Sequence, residues 1–215
     1  MPRRWIWTIL LLALRLPAAV VIDRIAVIVG KQAIKLSDIN RDLRVTEFLN
    51  RQQPDLSPDA RRKAAERLID QAIIRNEIQR GDYASAKPAQ VDAMLQQIRQ
   101  DRAGGSDARL RQELSRYGLT EDQLRVQLQW EFDVLAFIDQ RFRPGVLVTD
   151  QDAKSYYDQH RAELQRAYPQ LKTYEAVAPK VRELLEQERL NQNFDQWLKQ
   201  ARTRNHIEYE QGAFQ

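Results

Sequence analysis

The segment that most constrains the fold of this chain runs from Val20 to Leu36. It reads VVIDRIAVIVGKQAIKL, two short apolar runs rich in β-branched residues and joined by Gly30-Lys31. β-Branched residues favour strands, and Gly at the first central position is typical of a two-residue type II′ turn. The segment therefore predicts a β-hairpin. The expected cross-strand pairs are Val29 with Gln32, Val27 with Ile34 and Ile25 with Leu36.

The first strand of this hairpin is expected to be covered on both faces. The pairs built on Val27 and Ile25 form an aliphatic patch on one face, and Ala26 and Ile28 lie on the other. The alternative is that residues 20–29 continue an apolar helix from the N-terminus. Asp23-Arg24 interrupts the run and favours the hairpin.

Another strand is predicted only at the far end of the chain, from His206 to Glu210. Ile207 and Tyr209 alternate there with two glutamates, which is the pattern of a half-exposed strand. The chain between these strands is mostly patterned as helices. We therefore expect the two ends to pair. This predicts an α+β, predominantly α-helical fold with a small antiparallel sheet formed by the hairpin and the C-terminal strand.

Helix boundaries can be predicted between these strands. The expected helix starts are Ser37, Ser57-Pro58, Lys87-Pro88, Asp107, the Thr120–Gln123 capping box and Thr149. The helix over 121–142 is expected to be the longest and the most aromatic. Its apolar residues spread around the circumference, so it is either buried centrally or shares one side with a partner. A last long helix precedes the C-terminal strand and includes Pro179.

The N-terminus has the order of a secretory signal peptide. Arg3 and Arg4 precede the apolar run Trp5–Leu14, and Leu16-Pro17-Ala18-Ala19 follows. We expect residues 1–19 to be a signal peptide, with an uncleaved anchor as the alternative. Its removal takes away three arginines and no acid, so the formal charge falls from +4 to +1. A nearly neutral chain of this kind lacks the basic surface of a nucleic-acid binder.

The sequence offers little that indicates catalysis. Its 215 residues contain no cysteine, which excludes thiolate chemistry and disulfides. The two histidines, His160 and His206, are far apart, and no nucleotide-binding or nucleophile motif is present. Asp150 and Asp152 could form a paired-carboxylate site, but a helix capped by Thr149 with acids in its first turn explains them better. We therefore expect no enzyme activity, no metal and no cofactor.

The order of elements resembles periplasmic chaperones of the SurA type, including the chaperone parts of PpiD-like and PrsA-like foldases. The resemblance covers about residues 20–150 and 173–210. It is carried by the following runs: VIDRIAVIVGKQAIKLSDIN, AAERLIDQAIIRNEIQR, LRQELSRYGLTEDQLRVQLQ and VRELLEQERLNQNFDQWLKQARTRNHIEYE. It implies one chaperone domain over 20–215, in the periplasm.

The chain departs from that family at one point. Many members insert a parvulin-type prolyl isomerase domain before the final helix, whereas only about Asp158–Tyr174 lies in that gap here. The resemblance therefore implies a chaperone core without the isomerase. A residual prolyl isomerase is the least favoured alternative.

We therefore expect the protein to be an ATP-independent holdase that binds apolar and aromatic segments of unfolded secreted or outer-membrane proteins. We expect no binding to nucleic acid, and no membrane span after signal cleavage. The alternative is a non-chaperone assembly scaffold in the cell envelope, anchored by an uncleaved N-terminus. The residues expected to line a peptide-binding groove are Met94, Leu95, Ile98, Leu110, Leu114, Tyr117 and Phe142. For each of them, the competing interpretation is a place in the core.

Overall fold

The computed structural model describes residues 23–214, and the predicted signal peptide at 1–19 lies outside them. Within that range the chain forms seven α-helices and one three-stranded sheet. The strands are β1 (Ile25–Val29), β2 (Gln32–Lys35) and β3 (Ile207–Tyr209). The helices are α1 (Leu36–Leu49), α2 (Pro58–Arg80), α3 (Pro88–Ala103), α4 (Asp107–Arg116), α5 (Glu121–Phe142), α6 (Asp150–Ala167) and α7 (Tyr174–Arg204). The prediction of a predominantly α-helical α+β fold is confirmed.

The two ends of the described chain meet in the sheet. The strand order is β2-β1-β3 and both pairings are antiparallel, so β1 is the central strand. Val27 lies opposite Tyr209, and Val29 lies opposite Ile207. The predicted pairing of the hairpin with the C-terminal strand is therefore confirmed.

The hairpin keeps two of its three predicted pairs. Val29 lies opposite Gln32 and Val27 opposite Ile34, with Gly30 at a positive φ of 59°. The third pair is wrong, because Ile25 lies opposite Lys35 rather than Leu36. The register shifts between Ile25 and Val27, and this irregularity turns the Ile25 side chain outward, where it is 39% exposed.

Three predicted helix caps are present. The Ser57 hydroxyl accepts a hydrogen bond from the Ala60 N–H at 3.3 Å, with Pro58 as the first helical residue. Thr120 and Thr149 accept from the N–H groups of Gln123 and Asp152 at 3.2 and 3.1 Å. These local side-chain to backbone bonds need no tertiary partner, which is why they could be predicted.

Two predicted caps are wrong. Helix α1 begins at Leu36, and the Asp38 carboxylate accepts from the Lys35 N–H at 3.1 Å. Ser37 is therefore already inside the helix, and its hydroxyl donates to Asp23 at 2.5 Å. Helix α4 is capped by Ser106, and Asp107 is its first residue rather than its cap.

Helix α7 joins two parts of the molecule. It has 31 residues, against 22 in α5, so the prediction that α5 is the longest helix is wrong. Pro179 lies within its early turns, as expected. We call α6 together with the first half of α7 the arm, because α6 packs mainly against α7. We call the sheet, α1, α2 and the last turns of α7 the clasp.

The clasp and the arm have separate apolar cores. Val27, Ile39 and Ile69 are fully buried in the clasp core, and Ala213 and Phe214 close it from the C-terminal side. The arm core contains Ala153, Tyr157, Leu164, Val177 and Val181. Among residues 23–214, no helix is both long and apolar enough to span a bilayer.

Candidate peptide-binding cleft

Three of the residues predicted to line a groove lie in the core instead. Leu95 is 1% exposed, and Leu110 and Leu114 are fully buried. They pack in one cluster with Phe48 of α1 and Leu124 of α5. Helices α1 and α5 cover the apolar faces of α3 and α4, so these leucines contact no surface that a peptide can reach.

The other predicted residues do not form one surface. Met94 is 40% exposed, and Ile98 lines a small hollow of about 110 Å³. Tyr117 packs edge-on against Phe48, with ring centroids 5.4 Å apart. Phe142 belongs to a different cluster of aromatic residues at the contact of α5 with α7. The structure therefore does not bring the seven residues together.

A larger cleft lies elsewhere, between α2 and α5. It consists of two adjoining hollows of about 440 and 460 Å³, which share Arg75, Val126 and Trp130. One hollow is bounded by β2, α1, α2 and α5, and the other by α5, the start of α3 and Arg75 of α2. We call the two together the α2–α5 cleft. Its size is within the usual range of about 300–1,000 Å³ for ligand sites in proteins.

An aromatic side chain and a valine give the cleft its apolar surface. Trp130 is 9% exposed, and the guanidinium carbon of Arg75 lies 4.5 Å from the centroid of its ring. Val126, one turn before Trp130 on α5, is 67% exposed. An exposed valine beside a stacked tryptophan provides apolar contact area that the chain does not cover itself.

The wall of the cleft facing Trp130 is partly apolar. Ile34 of β2 and Val45 of α1 are nearly buried there, and Leu68 and Ala72 of α2 lie beside them. These residues belong to the cores behind the cleft, and only a small part of each side chain reaches the surface. The apolar contact area of the cleft therefore comes mainly from α5.

Neutral amides form much of the rim. The glutamines that line the cleft are Gln32, Gln71, Gln123, Gln127 and Gln129. Each side-chain amide can both donate and accept hydrogen bonds. Four of the five are also held by neighbours: Gln32 donates to Asn76, Gln127 to Glu131 and Gln129 to Asp133, each at 3.0 Å, and Gln123 accepts from the Thr120 N–H at 2.9 Å. A rim of this kind can bind polar backbone groups without selecting one sign of charge.

Most of the charges in the first hollow are already paired. Asp42 is 7% exposed and accepts from Arg67 at 2.5 Å, yet its burial is the larger effect and raises the pKa of this carboxyl. Asp38 pairs with Arg41 at 3.2 Å. Arg75 differs from these residues, because no carboxylate within residues 23–214 forms a salt bridge with it.

The groups that resembled catalytic candidates have structural roles. Asp152 caps α6 and binds Arg189, and these bonds hold the pKa of its carboxyl well below the usual range. His160 stacks on Tyr156, with ring centroids 4.3 Å apart, at a kink in α6. His206 lies beside Glu208. In the described part of the chain, no group of three potential metal ligands comes together.

The sequence did not single out the cleft, although it contained one sign of it. The apolar residues of α5 are spread around the helix, and the structure divides them between core positions such as Leu124 and open positions such as Val126. The positions of Arg75 and Gln71 gave no such sign, because charged and amide residues on a helix are usually solvated. Only the packing of α2 beside α5 places these two residues next to Val126.

Comparisons with known proteins give no family. No protein-family model matches the chain, and no curated protein matches it. The resemblance to SurA-type chaperones therefore depends on the sequence runs and on the order of elements, and it stays a prediction.

Proposed function

We propose that this protein is an ATP-independent periplasmic holdase that binds apolar and aromatic segments of unfolded secreted or outer-membrane proteins. The observation that carries the proposal is the α2–α5 cleft, with Val126 and Trp130 on its apolar side. The sequence resemblance points to the same class of function. Prolyl isomerase activity forms no part of the proposal.

The cleft suits weak binding of many sequences. Its apolar area is small, and its amide rim can adapt to different backbone positions. A holdase must release its clients, so a dissociation constant of roughly 1–50 μM, or about −6 to −8 kcal/mol, is expected. Met94 of α3, which is 40% exposed, is a separate apolar position that can add contacts with a long client.

Light scattering tests the proposal directly. A denatured outer-membrane protein is diluted into buffer with and without the purified protein, and aggregation is followed over time. The expected result is lower scattering at a few-fold molar excess, without ATP. Unchanged scattering at that excess would falsify the holdase function.

A matched pair of variants tests whether the cleft is the site. Val126→Glu places a charge on the apolar side of the cleft, whereas Leu135→Glu makes the same kind of change elsewhere on α5. Both positions are well exposed, at 67% and 60%, so neither change should unfold the protein. We expect Val126→Glu to weaken scattering suppression about threefold or more, and Leu135→Glu to have a smaller effect. Equal effects would place the binding site outside the cleft.

The competing assembly scaffold makes a different prediction about partners. A holdase crosslinks to many unfolded chains, whereas a scaffold crosslinks to one folded protein of the cell envelope. Photo-crosslinking from position 126 in the native compartment separates the two. A single folded partner, together with no suppression of aggregation, would support the scaffold.

A further inference from the structure

We propose that a client segment binds in the α2–α5 cleft as an extended strand that pairs with the outer edge of β2. This binding mode deepens the proposed holdase function and rests on it. It makes the hairpin a recognition element as well as part of the clasp. The evidence is the position of β2, its unpaired backbone groups and the charge of the cleft.

The outer edge of β2 lies at the cleft. β2 is the last strand in the order β2-β1-β3, so one of its edges has no neighbouring strand among residues 23–214. Gln32, Ala33 and Ile34 all line the first hollow. Successive side chains of a strand point to opposite faces. When three consecutive residues line the same hollow, the hollow must lie along the edge of the strand.

The hydrogen bonds of β1 show which β2 groups face outward. Ala26 C=O accepts from Glu210 N–H at 3.0 Å, and Gly30 N–H donates to His206 C=O at 2.8 Å. These β1 residues therefore point toward β3, and the alternating residues Val27 and Val29 point toward β2. Their partners in β2 point back toward β1.

Ala33 lies between those partners and is the residue that points away from β1. It is opposite Ile28 in a non-hydrogen-bonded pair, and its N–H and C=O form no hydrogen bond within residues 23–214. The next outward-facing N–H, that of Lys35, is already bound by the Asp38 carboxylate at 3.1 Å. One donor and one acceptor thus remain at the cleft, the pair that a single residue of an added strand satisfies.

Charge complementarity indicates the chemistry of the occupant. Arg75 lies on the cleft surface without a carboxylate partner among residues 23–214. The carboxylates that line the cleft are each bonded to other groups: Asp38 to the Lys35 N–H, Asp42 to Arg67 and Asp133 to the Ala86 N–H. An extended segment with an apolar residue against Val126 and an acidic residue near Arg75 matches this surface. The shortness of β2, together with Lys31 just before it and Lys35 at its end, also limits pairing with other exposed edges, which keeps the contact reversible.

Backbone hydrogen exchange of the wild-type protein tests the pairing. The probe is a soluble dodecapeptide in which Phe and Val alternate with Thr, with one Asp near its centre. At saturation we expect exchange of the Ala33 amide to slow by about tenfold, with the Lys35 amide unchanged because Asp38 already binds it. An Ala33 amide that does not respond to the bound peptide would overturn the inference.

Two variants at Ala33 provide an independent test. Ala33→Pro removes the outward N–H without removing a bond to β1, and Pro is tolerated at such edge positions. Ala33→Val keeps the N–H and is the matched control. We expect Ala33→Pro to weaken peptide binding about threefold to tenfold and Ala33→Val to preserve it. Equal affinities in two folded variants would contradict the pairing, and the exchange experiment stays decisive if Ala33→Pro does not fold.

The charge preference is tested with Arg75→Gln. The wild type should bind the peptide with Asp more tightly than the same peptide with Asn, and Arg75→Gln should lose this preference. Failure of the inference is distinguishable from failure of the proposed function. If the wild type suppresses aggregation but the Ala33 amide does not slow and Arg75→Gln keeps the preference for Asp, strand addition alone is refuted. If the wild type does not suppress aggregation, the holdase function is refuted.

Discussion

The clasp and the arm are held together in different ways. The clasp joins residues from opposite ends of the chain, since β1 pairs with β3 and Arg24 donates to the Ala213 carbonyl at 3.0 Å. The arm is a pair of consecutive helices whose core residues lie close together in the sequence. One part therefore depends on contacts between the two ends of the chain, whereas the other depends on contacts between two consecutive helices.

A network of polar side chains shows the same difference. In the clasp, Arg202 of α7 donates to Glu66 and Asp70 of α2, and the Tyr209 hydroxyl donates to Glu66 at 2.5 Å. Burial and this bond to a carboxylate raise the pKa of Tyr209 to about 12. In the arm, Arg182–Asp150 is an exposed single pair, and Arg189–Asp152, although half-buried, links only α6 to α7. Exposed pairs contribute little to stability because water and salt screen them.

This difference has a functional consequence. The α2–α5 cleft is lined by β2, α1 and α2, which belong to the clasp, so its geometry depends on chain closure. The arm makes few contacts with those elements. We therefore expect changes in the arm to leave the cleft intact, and changes in the clasp to alter it.

The largest predicted effect comes from a matched pair of core truncations. Ile69 is fully buried in the clasp and Leu164 is 6% exposed in the arm. Truncating either to alanine should cost about 2–5 kcal/mol of local stability. Ile69→Ala should lower the global free energy of unfolding in urea, whereas Leu164→Ala should raise hydrogen exchange only in α6 and the first half of α7. Loss of protection in α2 in the Leu164→Ala protein would show that the two parts unfold as one.

A smaller effect is expected from Arg202→Ala. Removing the guanidinium leaves Glu66 and Asp70 close together without their shared partner, which should lower the free energy of unfolding by about 1–3 kcal/mol. Arg202→Lys, which keeps the charge but loses the fork of donors, should lie between alanine and the wild type. The exposed Arg182→Ala is the control, with no measurable change in global stability. Equal losses from the two alanine variants would remove the distinction between the networks.

The smallest effect concerns pH. The folded-state pKa of Asp152 is lowered by its bonds to Arg189 and Thr149. Its contribution to arm stability is therefore present above its ordinary pKa of 3.8 and is lost progressively as the pH falls from there toward the lowered folded-state pKa. Burial raises the pKa of Asp42 and Asp70 in the clasp, so their contribution has the opposite sign and increases on acidification.

Hydrogen exchange over a pH series separates these contributions. After correction for intrinsic rates, protection of α6 should begin to fall below about pH 5 and should continue to fall below about pH 3. Asp152→Asn should have weaker α6 protection at neutral pH and less change on acidification. An unaltered pH dependence of α6 in that variant would contradict the assignment.

Much of the fold could be predicted because its signals are local. Gly30 at a two-residue turn predicted the register near the turn. The helix starts could be predicted because three side chains accept hydrogen bonds from backbone N–H groups three residues further on: Ser57, Thr120 and Thr149. Errors arose where a more distant residue intervened. Asp23 binds Ser37, and the irregularity near Ile25 moves the far end of the hairpin out of its expected register.

The candidate site was predicted less well, for a related reason. Leu110 and Val126 are both apolar residues on helices, and nothing in their immediate sequence distinguishes a buried residue from an open one. The first is covered by neighbouring helices, and the second is left open at the gap between α5 and α2. Burial is a property of the partner that packs against a residue, so it cannot be read from the helix that carries it.

The sequence by itself determined the helical content, the N-terminal hairpin and the return of the chain as a third strand. Periodicity, turn chemistry and capping act over a few residues, and the pairing of the ends followed because only those segments were strand-forming. The tertiary structure alone decided which apolar faces are covered and where the edge of β2 lies. Those features depend on α2 and α5 meeting across about fifty residues of chain, and packing over such distances leaves no local pattern in the sequence.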